Sequence, residues 1–206
     1  MTTHMRAVVA VVGLKGGTSK TTSAVFLAHA LYELGRSVLL VDADPQQSAY
    51  EWQQLSPDPF PFRVERMSTP NLDTQLPDVM RGRYDAVVVD TPPRDQQAGI
   101  VAATLRVATV ALVPVAPNPI EYQRLGAVRA IVGDVPMAVL LTRVVPNTVS
   151  SLVYRELVLR EGLWLLRTQV GRLERMAQAF GDPVHQASDS AYGDVARELL
   201  ERGKAI

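Results

Sequence analysis

Cysteine is absent from all 206 residues. That excludes a disulfide scaffold, a thiolate-bound zinc or iron–sulfur site, and thiol catalysis. Long apolar runs are missing too: no stretch approaches the roughly 18 consecutive apolar residues that mark a membrane-crossing helix. The opening MTTHMR lacks the apolar core of a secretory signal, so the expectation is a cytoplasmic chain. Net charge is also lacking, with 21 basic against 21 acidic side chains. No overall field draws this chain onto nucleic acid or anionic lipid, and any such contact must be local. Lysine is scarce. Only Lys15, Lys20 and Lys204 occur, and the first two stand just beyond the first strand-like run.

What the chain does have is 47% hydrophobic residues, enough for a sizeable core at this length. Runs of Val, Ile, Leu and Ala occur at Ala7–Val12, Val38–Val41, Ala86–Val89, Val107–Val113 and Met137–Leu141, with a short one at Leu163–Leu166. Continuous rather than alternating hydrophobicity marks strands buried on both faces, as in a parallel sheet covered by helices. Helix-period stretches lie between them: Thr21–Leu34, Ser48–Leu55, Gln96–Arg106, Ile120–Val132, Ser150–Glu161, Arg172–Phe180 and Asp194–Glu201. Ser56–Pro77 carries five prolines and reads as loops around an edge strand near Phe62–Met67. The expected fold is α/β, a doubly wound and mostly parallel sheet flanked by helices, forming one domain over residues 1–206.

The first strand runs into Gly13-Leu14-Lys15-Gly16-Gly17-Thr18-Ser19-Lys20-Thr21-Thr22 and then into a helix. A strand–loop–helix of this kind suits polyphosphate, because helix N-terminal N–H groups and the helix dipole both face the anion. Gly16 and Gly17 allow close backbone approach. Lys20 is placed to reach the β- and γ-phosphates, and the Thr21 hydroxyl to ligate Mg²⁺. The ordinary pattern G-x-x-x-x-G-K-[ST] is not met, since Leu14 and Ser19 hold its glycine positions. The second strand closes on Asp42-Ala43-Asp44-Pro45-Gln46-Gln47-Ser48, and the third, from Tyr84, on Asp90-Thr91-Pro92-Pro93. Acidic groups at the carboxyl ends of neighbouring strands face the crevice where such sheets bind ligands. Four apolar residues closing on Asp90 make a Walker B strand, with Asp90 holding a Mg²⁺-bound water.

KGGTSKTT, DADPQQS and YDAVVVDTPP, in that order, resemble the deviant Walker A P-loop ATPases of the ParA/MinD family. So does the run Leu112–Pro119, LVPVAPNP. The resemblance spans about Ala7 to Leu200. It implies an ATPase using ATP and Mg²⁺, with Gly16, Gly17, Thr18, Ser19, Lys20, Thr21 and Thr22 around the phosphates. Lys15 is implied as the signature lysine that reaches the ATP of the other subunit in a dimer. Asp44 is implied to position the attacking water, Asp42 to support the Mg²⁺ region, and Thr142 and Arg143 to contact adenine.

With no helix-turn-helix segment before Ala7, the chain is most like compact ParA partition proteins. That implies an ATP-bound homodimer, non-specific DNA binding, nucleoid association and a ParB-like or other centromere-binding partner that stimulates hydrolysis. Residues 143–175 hold six arginines against three glutamates. Within them, Arg167–Ala179 is similar to a family segment that contacts DNA, which points to Arg172 and Arg175. The alternative is a MinD-like or cargo-positioning ATPase acting on a membrane or a protein cargo. For the tail, a stripe of Val195, Ala196, Leu199 and Leu200 flanked by acids suits docking on the domain better than entering lipid, so no stable membrane association is expected. Neither His4, His29 nor His185 has metal-ligand spacing, and Trp52 and Trp164 read as packing residues.

Overall fold

The computed structural model describes residues 7–146, 148–172 and 178–203. Seven strands form one sheet: β1 (Ala7–Val11), β2 (Val38–Asp42), β3 (Arg63–Arg66), β4 (Ala86–Asp90), β5 (Val110–Val115), β6 (Met137–Val144) and β7 (Trp164–Gly171). Their spatial order is β3-β2-β4-β1-β5-β6-β7, and every pairing is parallel. Helices α1 (Lys20–Glu33), α2 (Ser48–Leu55), α3 (Leu72–Met80), α4 (Ala98–Val107), α5 (Pro119–Val132), α6 (Val149–Arg160) and α7 (Ala191–Gly203) complete the described elements, with a 3-10 turn at Ala187–Asp189. The expected doubly wound α/β architecture is present.

The apolar runs become strands because both faces of the sheet are covered. Leu40 and Val88 pack on one side with α1 and α7, while Val41, Val87 and Val89 pack on the other with α3 and α4. The central strands thus exclude water from their whole length, which is why they tolerate no alternation. The carboxyl ends of β1, β2 and β4 lie side by side, with Val11 paired to Asp90 and Asp90 to Asp42. This is the crevice end of the sheet.

Three expectations needed correction. Ser56–Pro77 is not all loop around a strand, since α3 begins at Leu72 and contains Pro77. Leu72, Leu76 and Met80, spaced four apart, bury one face of that helix and outweigh the missing proline donor. The apolar run at Val107 closes α4, and β5 starts only at Val110. β7 runs through Gly171 rather than stopping at Leu166, so Arg167–Gly171 is strand rather than loop. Of the helix expected at Arg172–Phe180, residues 173–177 lie outside the described residues, and Arg172 and 178–180 are not helical.

α7 lays Val195, Ala196 and Leu199 into the core beside α1 and β7, so the tail stripe is occupied by the protein itself. Trp52 is buried and donates from Nε1 to the Asp182 carbonyl at 2.9 Å, a packing role as expected. Trp164 packs on the same core with Arg202 over its ring. His29 is buried between Phe60 and Phe62. His185 faces Asp58, and His4 is outside the described residues. No helix among the described residues is long and apolar enough to cross a membrane.

Candidate functional site

The loop between β1 and α1 is drawn together from within. The Lys20 ammonium donates to the Lys15 carbonyl at 2.9 Å, and the Thr18 hydroxyl donates to the same oxygen at 3.3 Å. Gly17 takes φ 73°, a left-handed turn that glycine adopts without penalty. Lys20 is only 6% exposed, and burial lowers its pKa against the pull of Asp90 and Asp44. The Lys15 side chain instead faces solvent.

A cavity of about 600 Å³ opens over this loop. Gly16, Gly17, Ser19, Lys20, Thr21 and Thr22 form one wall; Asp44, Gln46 and Ser48 form the β2 side. Pro93 and Gln96 come from the loop after β4, Thr142 and Arg143 from β6, Val170, Gly171 and Arg172 from the end of β7, and Tyr192 from α7. The fold therefore assembles most of the expected site residues around one space. Lys15, Thr18, Asp42 and Asp90 do not line that cavity, and Arg175 lies outside the described residues.

Asp42 and Asp90 are fully buried behind the wall. Asp42 accepts from the backbone N–H of Asp44 at 3.2 Å and of Tyr50 at 2.9 Å. It thereby shapes the turn that presents Asp44, whose own Oδ1 accepts from the Gln46 N–H at 2.9 Å. Burial raises the Asp42 pKa to about 6. Asp90 is different: neither carboxylate oxygen has a hydrogen-bond partner. Burial, then repulsion from Asp42, pushes its pKa up to about 8, with the Thr21 hydroxyl and the Lys20 ammonium acting the other way.

Buried oxygen atoms without partners call for a ligand or a cation. Carboxylate and threonine oxygens suit Mg²⁺, and the described residues hold no cluster of three or more His, Cys, Asp or Glu able to cage a metal. Mg²⁺ needs no such cage, because it keeps waters and takes ligands from phosphate. The residues present fit it.

Thr142 carries a second orphaned group, a buried hydroxyl without a partner on the cavity wall. Arg143 turns toward the phosphate loop, where Nε donates to the Ser19 hydroxyl at 3.1 Å and a terminal nitrogen contacts the Gly17 carbonyl. Arg94 and Asp95 donate backbone N–H groups to the Gly13 and Leu14 carbonyls at 3.3 and 3.5 Å. The loop after β4 is therefore folded onto the phosphate loop. Sequence reasoning missed Pro93, Gln96, Val170, Gly171 and Tyr192 as cavity residues. Only the Asp-Thr-Pro-Pro exit of β4 hinted at the first two.

The arginine-rich stretch is less free than its count suggests. Arg167 bridges Glu198 at 3.5 Å and Glu201 at 3.1 Å, and Arg160 bridges Glu156 at 2.6 Å. Arg172 is exposed at the cavity rim.

A family model described as the CobQ/CobB/MinD/ParA nucleotide binding domain matches residues 9–182. The chain belongs to this family. Among ParA/MinD relatives, it is 41% identical over 157 residues to Maintenance of carboxysome distribution protein A of Gloeobacter kilaueensis, covering 75% of this chain and 71% of that protein. It is 27% identical over 242 residues to the chromosome-partitioning ATPase Soj of Thermus thermophilus, covering 94% and 95%. In fold it is similar to cobyrinic acid a,c-diamide synthase from Mycobacterium smegmatis, a structure with bound ADP and magnesium. The TM-score there is 0.76 at 23% identity, over 97% of this chain and 96% of that one. The ParA/MinD resemblance carried by KGGTSKTT, DADPQQS and YDAVVVDTPP is thereby shown.

Proposed function

We propose that this chain is an ATP-hydrolysing switch that positions a protein-built cargo, using ATP and Mg²⁺ in the cavity over residues 13–22. The observation that carries the choice of cargo is the 41% identity to a carboxysome-distribution protein, against 27% to a chromosome-partitioning one. Plasmid or chromosome segregation, the first expectation from the motifs, becomes the second reading, supported by the match along nearly the full length of the Soj relative.

In this reading Gly16, Gly17, Ser19 and Thr22 surround the phosphates, and Lys20 neutralises them from within a dry wall where its charge is little screened. Thr18 braces the loop through the Lys15 carbonyl. Thr21 and Asp90 would hold Mg²⁺, with Asp42 supporting that region through the turn it shapes. The ion would neutralise charge building on the phosphate oxygens during transfer. Asp44, on the open side of the cavity, orients the attacking water. The buried Thr142 hydroxyl lies toward the base, while the neighbouring Arg143 is folded back onto the phosphate loop through Ser19 and Gly17.

Lys15 faces outward, free to reach the nucleotide of a second copy, and the nucleotide-bound form is a homodimer. Dimerisation doubles any weak cationic footprint and makes attachment to DNA bivalent. Arg172, with Arg175, contributes to that footprint, which places the protein on the nucleoid. A partner protein carried by the cargo then stimulates hydrolysis, as a centromere-binding partner would under the second reading.

Deleting the gene and imaging the cell tests the choice. Clustering of a large protein assembly, with plasmids and chromosomes inherited normally, is the expected outcome. Plasmid or chromosome loss with every assembly normally spaced would overturn it in favour of segregation.

A further inference from the structure

Two walls of the cavity each contain a non-glycine residue in the left-handed backbone region, and these two residues touch. Ser19 has φ 64° and Arg143 has φ 53°. Ser19 is the N-cap of α1, and its carbonyl accepts from the Ser23 N–H at 2.9 Å. A serine at that place ordinarily turns its hydroxyl onto the first free N–H groups of the helix. Here it makes no such bond. The hydroxyl instead accepts from Arg143 Nε at 3.1 Å, and the other end of the same guanidinium reaches the Gly17 carbonyl. One planar group thus spans the bend from residue 17 to residue 19.

That bend has two left-handed residues with Thr18 between them, one a glycine and one not. A glycine adopts the conformation freely, whereas a serine there is strained and persists only if its surroundings hold it. The P-loop pattern places glycine where Ser19 stands. Arg143 sits between Leu141 and Val144, where the register of β6 against β7 shifts, so the ladder is irregular at the residue that reaches across. The planar fork of arginine can hold two acceptors at once in a fixed geometry, which a lysine ammonium on a flexible stem cannot reproduce.

We propose that Arg143 is a positioning residue that latches the phosphate loop in its binding shape, and that it is required because Ser19 replaces glycine at the bend. This rests on the reading of the cavity as a nucleotide site. Ser19 and Arg143 are a matched pair: the arginine supplies the order that glycine would have made unnecessary.

The test is a double-mutant cycle on ATP affinity, measured by titration calorimetry with and without Mg²⁺, using the full chain. Whatever shift Ser19→Gly brings alone, Arg143→Ala is expected to weaken ATP at least about ten-fold with serine at 19 and less than about two-fold with glycine there. Arg143→Lys should behave like the alanine variant in the serine background, which separates the fork from its charge. Equal losses in both backgrounds would overturn the latch, since they would mean that Arg143 acts on the nucleotide directly or on folding in general. Full affinity of Arg143→Lys would overturn it as well. If the unsubstituted chain fails to bind ATP, both the latch and the nucleotide-site reading fall, an outcome distinct from either of the others.

Discussion

Asp42 and Asp90 are register partners on β2 and β4, two carboxylates facing each other across neighbouring strands with no solvent at either. Only Asp42 is given backbone N–H donors; Asp90 has none. Like charges so placed cannot both ionise cheaply. Burial raises both carboxylates, and the backbone donors on Asp42 hold it to about 6 while Asp90, without them, is pushed up to about 8.

A pH dependence follows, with a definite sign. Without a divalent cation, the folded chain retains a proton on Asp90 that the unfolded chain releases above about 4. Folding therefore binds a proton between these values, and stability falls as pH rises toward 8, by up to about 1.4 kcal/mol per pH unit for each group. Asp90→Asn should remove the loss between pH 6 and 8. Urea unfolding in chelator at several pH values reads this directly. An Asp90→Asn chain whose stability declines with pH as steeply as the unsubstituted one would sink the assignment.

The two lysines of the loop should separate in their effects. Lys20 is buried against the cavity wall and tied to the Lys15 carbonyl, whereas the Lys15 ammonium is outside. Lys20→Ala should lose at least about 10²-fold in ATP affinity, the equivalent of a charge-assisted contact of about 3 kcal/mol. Lys15→Ala should still bind ATP but remain monomeric with it. Calorimetry paired with light scattering distinguishes the two, and a Lys15→Ala chain that dimerises normally with ATP would refute the role across the subunits.

Asp44 differs from its neighbour Asp42 by being half-buried on the open wall, with one oxygen engaged by the Gln46 N–H. Its other oxygen has no structural duty, which suits orientation of a water. Asp44→Ala should leave the ATP-dependent dimer intact and cut turnover by about 10²-fold or more. Phosphate release in single-turnover format checks the chemical step. Unaltered hydrolysis would move the water-orienting role to another residue.

The sheet was legible because its strands are buried on both faces, and continuous apolar runs such as Val38–Val41 and Ala86–Val89 have few other uses. Likewise the loop over residues 13–22 and the acids ending β2 and β4 stand out by local spacing, and the fold does bring Lys20 and Thr21 into one cavity wall with Asp90 buried behind it. α3 was hidden because Pro77 and its neighbours speak for loop, while the burial of Leu72, Leu76 and Met80 that overrides them depends on α4 and the sheet. The far wall of the cavity was hidden for the same kind of reason. Tyr192 and Val170 arrive from the last elements, through long-range packing that no local pattern encodes. The count of arginines misled in part, because Glu198 and Glu201, some thirty residues on, neutralise Arg167.

Gly193 offers a last test, one that concerns how α7 brings Tyr192 to the site. A Cβ at Gly193 would lie 1.9 Å from the Ser188 carbonyl oxygen, a backbone atom of the 3-10 turn that cannot swing aside. That turn is anchored to α1 by the Ser188 N–H donating to Glu33 at 2.6 Å. Tyr192, one residue earlier, is buried with its hydroxyl 2.9 Å from Ser23 Oγ and its ring stacked on Phe26. Gly193→Ala must therefore shift the start of α7 and with it a wall of the cavity. A loss of about 2–3 kcal/mol in urea unfolding is expected, typical of forced overpacking, along with weaker ATP binding. Tyr192→Phe, which keeps the ring and removes only the Ser23 partner, should cost about 1 kcal/mol. If Gly193→Ala proves no more harmful than Tyr192→Phe, the close approach of α7 to the 3-10 turn is not what seats the tyrosine.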